Sequence, residues 1–203
     1  MPRPELAGLC IADPAERWRA LGFAVAGGRL PLGGVELELG AEGSGLVGWS
    51  LRHIEPVGDI DGLATAVATA QPTPVAHPNG ATGVDHVVIL TPDFRRTATA
   101  LDRAGLPLRR IRDAGGFRQG FRRLGPATME IVENTRVAPG PARFWGLVVV
   151  VPDLVALRER LGSARLGAPR PAVQPGRQIA TLAAGAGLSA AVAFMDPERR
   201  SGH

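Results

Sequence analysis

The chain has 203 residues, of which 45% are hydrophobic and 21% are charged. This composition argues against disorder and suits one domain or two closely packed ones. The uninterrupted apolar run at residues 147–151, like every other in the chain, is far shorter than the roughly 20 residues that span a bilayer. The N-terminus has no basic region followed by an apolar stretch. The sequence therefore predicts a cytoplasmic protein without a membrane segment.

All 23 basic residues are arginines, because the sequence contains no lysine. The isoelectric point near 11.0 therefore overstates a net charge of only +4. Arginines concentrate between Arg95 and Arg123, which predicts a surface that attracts anions. No nucleic-acid partner is expected, since the chain has no tyrosine and few aromatic side chains on which bases could stack. The only cysteine, Cys10, excludes an intramolecular disulfide and a thiolate metal cluster.

Three segments of the chain begin alike, with a short apolar strand, a turn containing Pro and Asp, and a helix. The pattern predicts strands at 6–12, 84–90 and 144–151, and helices at 15–21, 94–104 and 154–161. Asp13 suits a helix N-cap and Pro14 the first helical position. Gly105 and Gly162 follow the second and third helices, where a left-handed residue often ends a helix.

Strand-like stretches divided by glycine follow each helix. They are predicted at 28–32, 35–39 and 46–54 in the first segment, at 108–113, 117–124 and 127–133 in the second, and at 172–174, 177–182 and 188–195 in the third. Residues 56–82, which carry several prolines, are predicted to be a connector. One helix followed by three strands therefore occurs twice after this connector, and in a shorter copy before it.

The second segment contains the stretches Gly-Val-Asp-His-Val-Val-Ile at 83–89, Phe-Arg-Arg-Leu-Gly at 121–125 and Met-Glu-Ile-Val-Glu at 129–133. These three stretches resemble the glyoxalase, bleomycin-resistance or vicinal oxygen chelate superfamily. The resemblance implies an α+β fold in which two βαβββ modules pair edge to edge into an open cup. It implies three parts: a partial N-terminal module at 1–55, the connector at 56–82, and the paired domain at 83–197.

The resemblance also implies a divalent metal ion, held by ligands on the first and fourth strands of each module. The matching residues are His86 and Glu130, and a neutral imidazole with a carboxylate suits zinc, iron, manganese or nickel. The third segment departs from this pattern, because Gly146 aligns with His86 and the last strand has no acidic or imidazole side chain. A second copy of the chain in a homodimer would complete the set, as would Glu36 or Glu38 of the first segment.

Further residues are candidates for holding a small-molecule ligand in the cup. Gln119, Arg123 and Arg177 would grip a carboxylate or phosphate, since a guanidinium offers a bidentate fork. Strand alternation predicts that Phe144 forms a wall of the cup and that Trp145 lies in the core.

Three hypotheses about function follow. The first is a divalent-metal-dependent lyase, isomerase or dioxygenase that acts on a small oxygenated molecule, with His86 and Glu130 as ligands. The second is a metal-free protein that binds or sequesters a small molecule in the same cup. The third is a scaffold whose arginine-rich surface meets an acidic partner. The sequence leaves all three open, because function depends on the site and the ligand set is incomplete.

Overall fold

A computed structural model describes residues 2–113, 115–136 and 138–198 of the protein. These residues form an N-terminal unit and two βαβββ modules. The N-terminal unit contains β1 (Glu5–Ile11), α1 (Ala15–Arg19), β2 (Arg29–Leu32), β3 (Val35–Leu39), β4 (Leu46–Arg52), β5 (Asp59–Ile60) and β6 (Leu63–Val67). The first module contains β7 (Gly83–Thr91), α2 (Phe94–Arg103), β8 (Arg110–Asp113), β9 (Arg118–Leu124) and β10 (Ala127–Glu133). The second contains β11 (Arg143–Val150), α3 (Leu154–Leu161), β12 (Arg170–Pro171), β13 (Gln178–Thr181) and β14 (Ala191–Met195), with a short 3-10 helix at Ala184–Ala186.

The two modules share one eight-stranded sheet in the order β12-β13-β14-β11-β7-β10-β9-β8. Within each module the first strand pairs in parallel with the last, β7 with β10 and β11 with β14. The modules join at the centre of the sheet, where β7 and β11 run antiparallel. This arrangement confirms the α+β fold of paired βαβββ modules that the sequence predicts.

The N-terminal unit repeats the centre of this arrangement in a sheet of six strands, ordered β2-β3-β1-β4-β6-β5. Its four middle strands correspond to β10-β7-β11-β14, because β1 is parallel to β3, antiparallel to β4, and β4 is parallel to β6. Strands β5 and β6 lie in the region predicted to be a connector, so the link between the two sheets begins after Val67. The unit thus has the strand pairing of a shortened pair of modules, and no helix lies between β4 and β6.

Two of the three helices begin after an aspartate that serves as N-cap. The carboxylates of Asp93 and Asp153 accept hydrogen bonds from the backbone N–H of Arg96 at 3.0 Å and of Ala156 at 2.8 Å. Asp13 does not cap α1, so that prediction is wrong. No helix among the described residues is long and apolar enough to cross a membrane, the longest being the ten-residue α2.

Asp13 instead ties the N-terminal unit to the second module. Its carboxylate is almost fully buried and accepts hydrogen bonds from the backbone N–H of Ser189 at 2.6 Å and of Ala190 at 2.9 Å. A second contact joins the same two parts, since the backbone N–H of Gly45 donates to the Ser189 hydroxyl at 2.8 Å. The side chain of Asp13, which was predicted to cap α1, therefore joins the N-terminal unit to the second module instead.

One hydrophobic core extends through both sheets. Trp18 and Trp49 are buried in the N-terminal unit and Phe194 in the second module, and Phe23 stacks on Phe194 with ring centroids 6.2 Å apart. The two sheets therefore pack as one body.

A β-bulge corrects two predictions for the start of β11. Phe144 pairs with Ile89 and Gly146 with Val88, so the register shifts by one residue at Trp145. Phe144 consequently points toward the N-terminal unit and meets the Trp49 ring edge to face, with centroids 5.5 Å apart. Trp145 is 54% exposed and not part of the core. The prediction placed Phe144 and Trp145 on the opposite faces, because it assumed that side chains alternate along the whole of β11 without a bulge.

We expect Asp13→Ala to lower the free energy of unfolding by about 3 kcal/mol, because two buried N–H groups lose a charged acceptor. The matched control is Asp153→Ala, which removes an exposed cap and should cost about 1 kcal/mol. Urea denaturation of both variants measures the difference. Equal losses in the two variants would show that the Asp13 contacts do not hold the units together.

Candidate functional site

A cavity of about 750 Å³ opens on one face of the eight-stranded sheet, and we call it the cup. Five of the six residues singled out from the sequence line it: His86, Gln119, Arg123, Glu130 and Arg177. The sixth, Phe144, is not among the lining residues, because the bulge at Trp145 turns it toward Trp49. Phe144 is therefore a core contact between the sheets and not a wall of the cup.

A buried ionic chain supports His86 from behind. The carboxylate of Asp85 contacts Nδ1 of His86, and Nη2 of Arg177 donates to the same carboxylate at 2.6 Å. Arg177 is itself fixed, since its Nε donates to the carbonyl of Asp196 at 2.8 Å. Burial raises the pKa of Asp85, but His86 and Arg177 outweigh it and hold that pKa below its usual value. An ionised Asp85 favours a proton on Nδ1 of His86, which leaves Nε2 as an acceptor.

A second chain holds Glu130 on the neighbouring strand. Nε2 of Gln119 donates to Oε1 of Glu130 at 2.9 Å, and Nε of Arg112 donates to Oε1 of Gln119 at 2.5 Å. Burial raises the pKa of Glu130, and the nearby charges of His86 and Arg112 oppose that rise without cancelling it. Glu130 is therefore a carboxyl group that takes up a proton more readily than an exposed glutamate, fixed in place beside an imidazole.

The opposite side of the cup is apolar. Val148 pairs directly with His86 across the centre of the sheet, and Ile179 and Met195 also line the cavity. The first module thus supplies hydrogen-bonding groups, and the second module supplies mostly hydrocarbon. Such a cavity suits a small molecule that has a polar end and an apolar body.

The residues of the cup do not fit a resident metal ion held by four protein ligands. Among the described residues no group of three or more His, Cys, Asp or Glu side chains could hold an ion. The positions in the second module that match His86 and Glu130 are Gly146 and Ala193. Gly146 cannot be replaced by a ligand, since a Cβ there would lie 2.2 Å from the carbonyl oxygen of Ala191. Two ligands alone do not hold a divalent ion firmly.

The acidic residues of the first segment do not complete the set either. Glu36 and Glu38 lie on β3 in the N-terminal sheet and line a separate cavity of about 390 Å³. Glu36 pairs with Arg29 at 2.7 Å, and Glu38 contacts the thiol of Cys10 at 3.7 Å. The structure therefore rules out their contribution to the cup, and completion by a second chain stays a prediction.

A larger groove of about 890 Å³ runs between the N-terminal unit and α2, and its carboxylate Asp61 is engaged in structural contacts. The carboxylate of Asp61 accepts from Nε of Arg96 at 2.7 Å and from the hydroxyl of Thr97 at 2.5 Å. Among the groups lining the described cavities, the linked pair of His86 and Glu130 is the stronger candidate for binding chemistry.

The structure adds residues to the cup that sequence analysis did not select. Asp85 was overlooked because strand alternation places it on the face opposite to His86, yet the pairing of β7 with β11 shifts by one residue at Asp85, and both side chains line the cup. Arg110 and Arg112 were visible only as members of an arginine run, although their spacing of two places both on one face of β8. Arg170 lies on a strand of two residues that no pattern indicates.

Comparisons with known proteins identify the fold. No protein-family model and no curated protein matches the sequence. A mutant of 4-hydroxymandelate synthase from Streptomyces coelicolor is similar in structure, with a TM-score of 0.64, 14% identity, and coverage of 100% of this chain and 95% of that one. A fusion of a xylose isomerase-like TIM barrel with 4-hydroxyphenylpyruvate dioxygenase gives a TM-score of 0.66 at 12% identity, covering 98% of this chain and 50% of that one.

Methylmalonyl-CoA epimerase from Mycobacterium tuberculosis matches 59% of this chain and 91% of its own, at 20% identity and a TM-score of 0.48. This chain spans half the length of the fusion protein. The two structures that match nearly the whole chain belong to the glyoxalase superfamily, and at such low identity the likeness concerns the fold alone.

We expect Glu130→Gln to become more stable relative to the wild type as the pH rises. A carboxyl group whose native pKa is raised contributes stability below its unfolded pKa and loses that contribution as the pH rises through the native pKa. The amide keeps an oxygen for Gln119 and has no charge to bury. Urea denaturation between about pH 4 and pH 7 measures this trend.

The matched control for that series is Glu133→Gln on the same strand. Arg118 holds the pKa of Glu133 below its usual value. The wild type should therefore gain stability over Glu133→Gln as the pH rises, which is the opposite trend. Parallel pH profiles for the two variants would contradict the assigned environment of Glu130.

We expect Gly146→Ala to lower the free energy of unfolding by about 1 to 3 kcal/mol, because its Cβ would collide with backbone of β14. Gly58→Ala is the control, since nothing lies within 4 Å of a Cβ at that exposed position. The control should stay within about 0.5 kcal/mol of the wild type. A neutral Gly146→Ala would mean that the second module has room for a ligand side chain at this point.

Proposed function

On the glyoxalase-superfamily fold that this chain has, we propose that the cup of the paired modules binds a small organic molecule without a resident metal ion. The observation that carries the proposal is the asymmetry of the cup. His86 and Glu130 face it from the first module, while Gly146 and Ala193 stand at the matching positions of the second. The protein would therefore act as a binding or sequestering protein for a small oxygenated molecule.

The polar groups of the cup are arranged to recognise hydrogen-bonding atoms of a ligand. His86 lines the cup with its Nε2 atom outside the contact with Asp85, and Glu130 keeps one oxygen beyond the contact with Gln119. A ligand hydroxyl could donate to Nε2, and a protonated Glu130 could donate to a ligand carbonyl. Both side chains are held from behind, so little conformational entropy is lost when a ligand binds.

The apolar groups of the cup would hold the rest of the ligand. Val148 and Met195 are almost fully buried, and Ile179 is partly buried beside them. A cavity of about 750 Å³ is within the usual range for pockets that take up one small molecule. The ligand would thus lie across the centre of the sheet, with oxygens toward β7 and β10 and hydrocarbon toward β11 and β14.

A second candidate function is a metal-dependent lyase, isomerase or dioxygenase, and one observation favours it. A carboxylate behind the imidazole, as Asp85 stands behind His86, is a common support for a histidine that binds a metal. The guanidinium groups of Arg112 and Arg177 argue against a metal-dependent function, since both lie close to His86 and Glu130 and repel a cation. The cytoplasmic location and the homodimer inferred from the sequence stay predictions.

We expect protein purified without chelator or added metal to contain no stoichiometric zinc, iron, manganese or nickel by elemental analysis. A small-molecule thermal-shift screen of the same sample should identify ligands that stabilise it. His86→Ala should then weaken binding of such a ligand by about tenfold, the loss of one good hydrogen bond, while the protein stays folded.

Cys10→Ser serves as the control, because Cys10 lines the separate cavity of the N-terminal sheet. It should bind the same ligand as tightly as the wild type. Stoichiometric metal in the wild type that disappears in His86→Ala and in Glu130→Gln would refute the metal-free proposal and establish the metal-dependent one.

A further inference from the structure

Three arginines around the mouth of the cup have no carboxylate partner among the described residues. They are Arg110 on β8, Arg123 on β9 and Arg170 on β12. All three side chains are exposed, and only Arg123 has a hydrogen bond, from Nη1 to the hydroxyl of Thr128 at 3.2 Å. Their positive charges are therefore available to a ligand.

The other two arginines of the cup are already engaged. Arg112 donates to Gln119 and lies over the ring of Phe121, with its Cζ atom 5.5 Å from the ring centroid. Arg177 is held by Asp85 and by the carbonyl of Asp196. The arginines of the cup thus form two sets. The inner pair, Arg112 and Arg177, holds other side chains in place, and the outer three face solvent.

Strand register fixes where the outer arginines stand. Arg110 pairs with Phe121 across β8 and β9, and Arg123 follows Phe121 by two residues on the same face. Arg170 pairs with Ile179 at the other end of the sheet order, on β12. Positive charge therefore stands on both walls of the mouth, above the apolar surface of the second module.

Carboxylates of the cup do not neutralise this charge. Five arginines and three carboxylates line the cavity, and Asp85 is taken by Arg177. Glu130 lies at the level of Val88, on the central strands of the sheet, and has a raised pKa. Only Glu198, which is exposed, could compete for an outer arginine.

We propose that the ligand of the cup is an organic oxyanion on an apolar body, with its carboxylate or phosphate held by Arg110, Arg123 and Arg170. This inference rests on the proposed binding function and names its ligand class. A guanidinium group binds either oxyanion through two parallel N–H···O bonds. The apolar body enters toward Val148 and Met195, and the charged group stays at the mouth.

Three probes of matched shape test the proposal: 3-phenylpropanoate, phenyl phosphate and the uncharged 3-phenylpropanamide. Calorimetric titration of the full chain should show one or both anions binding at least about tenfold more tightly than the amide. The affinity of the anions should fall as salt is raised, because exposed charges are screened. Preference between the two anions shows whether the ligand is a carboxylate or a phosphate.

Charge-removing variants locate the binding groups. Arg110→Gln, Arg123→Gln and Arg170→Gln should each weaken the preferred anion by about three- to tenfold and leave the amide unchanged. Arg109→Gln is the control, since it removes the same charge from the neighbouring residue, which does not line the cup. The substituted arginines are exposed, so we expect these variants to fold, and circular dichroism checks this.

Three outcomes would overturn the proposal. The first is equal affinity for the amide and both anions, which would leave the cup a binding site of another ligand class, with the metal analysis still testing its function. The second is no binding of any probe at about 10 mM, which would exclude oxyanions on an apolar body as the ligand class. The third is an equal loss of affinity in Arg109→Gln, which would assign the effect to overall charge and not to the mouth.

Discussion

The antiparallel pairing of β7 with β11 is the contact on which the rest of the molecule depends. It joins the two modules into one sheet, and its register sets His86 opposite Val148 and Val88 opposite Gly146. One half of the cup therefore presents hydrogen-bonding groups and the other half hydrocarbon. The bulge at Trp145 belongs to the same pairing, and it turns Phe144 out of the cup and onto Trp49 of the N-terminal sheet.

The N-terminal sheet shows what the same arrangement becomes without a histidine. Gly8 pairs with Glu36 and Ser50, much as His86 pairs with Thr128 and Val148. A Cβ at Gly8 would lie 2.8 Å from the carbonyl oxygen of Glu36, so the neighbouring strand leaves no room for a side chain there. The chain thus carries two sheets of related topology, and of the two only the eight-stranded one places an imidazole in its cavity.

Much of the fold follows from local signals in the sequence. The helices α2 and α3 begin after the Pro/Asp turns that indicate them, where Asp93 and Asp153 are the N-caps, and glycine pairs divide the strands where the structure has turns. Long-range contacts account for the failures. Asp13 resembles a cap but binds backbone 176 residues away, and the bulge at Trp145 depends on packing between the sheets.

Part of the site was also predictable from local signals in the sequence. His86 and Glu130 lie on strands with clear alternation, so a motif and its parity were enough to place them together in the cup. The support that Arg177 gives to His86 through Asp85 was not predictable. Only the complete sheet brings Arg177 next to Asp85, because the two residues are 92 positions apart in the chain. Among the described residues Arg110 and Arg170 have no carboxylate partner. This depends on where the acidic side chains of other strands lie, which no local sequence pattern predicts.

The central claim is that the cup has no resident metal ion, and anomalous diffraction tests it most directly. Crystals of protein purified without chelator or added metal would be measured above the absorption edges of zinc, nickel, iron and manganese. We expect no anomalous peak within coordination distance, about 2.0 to 2.2 Å, of Nε2 of His86 and the carboxylate of Glu130. A peak of high occupancy that contacts both side chains would contradict the claim and make the cup a metal centre.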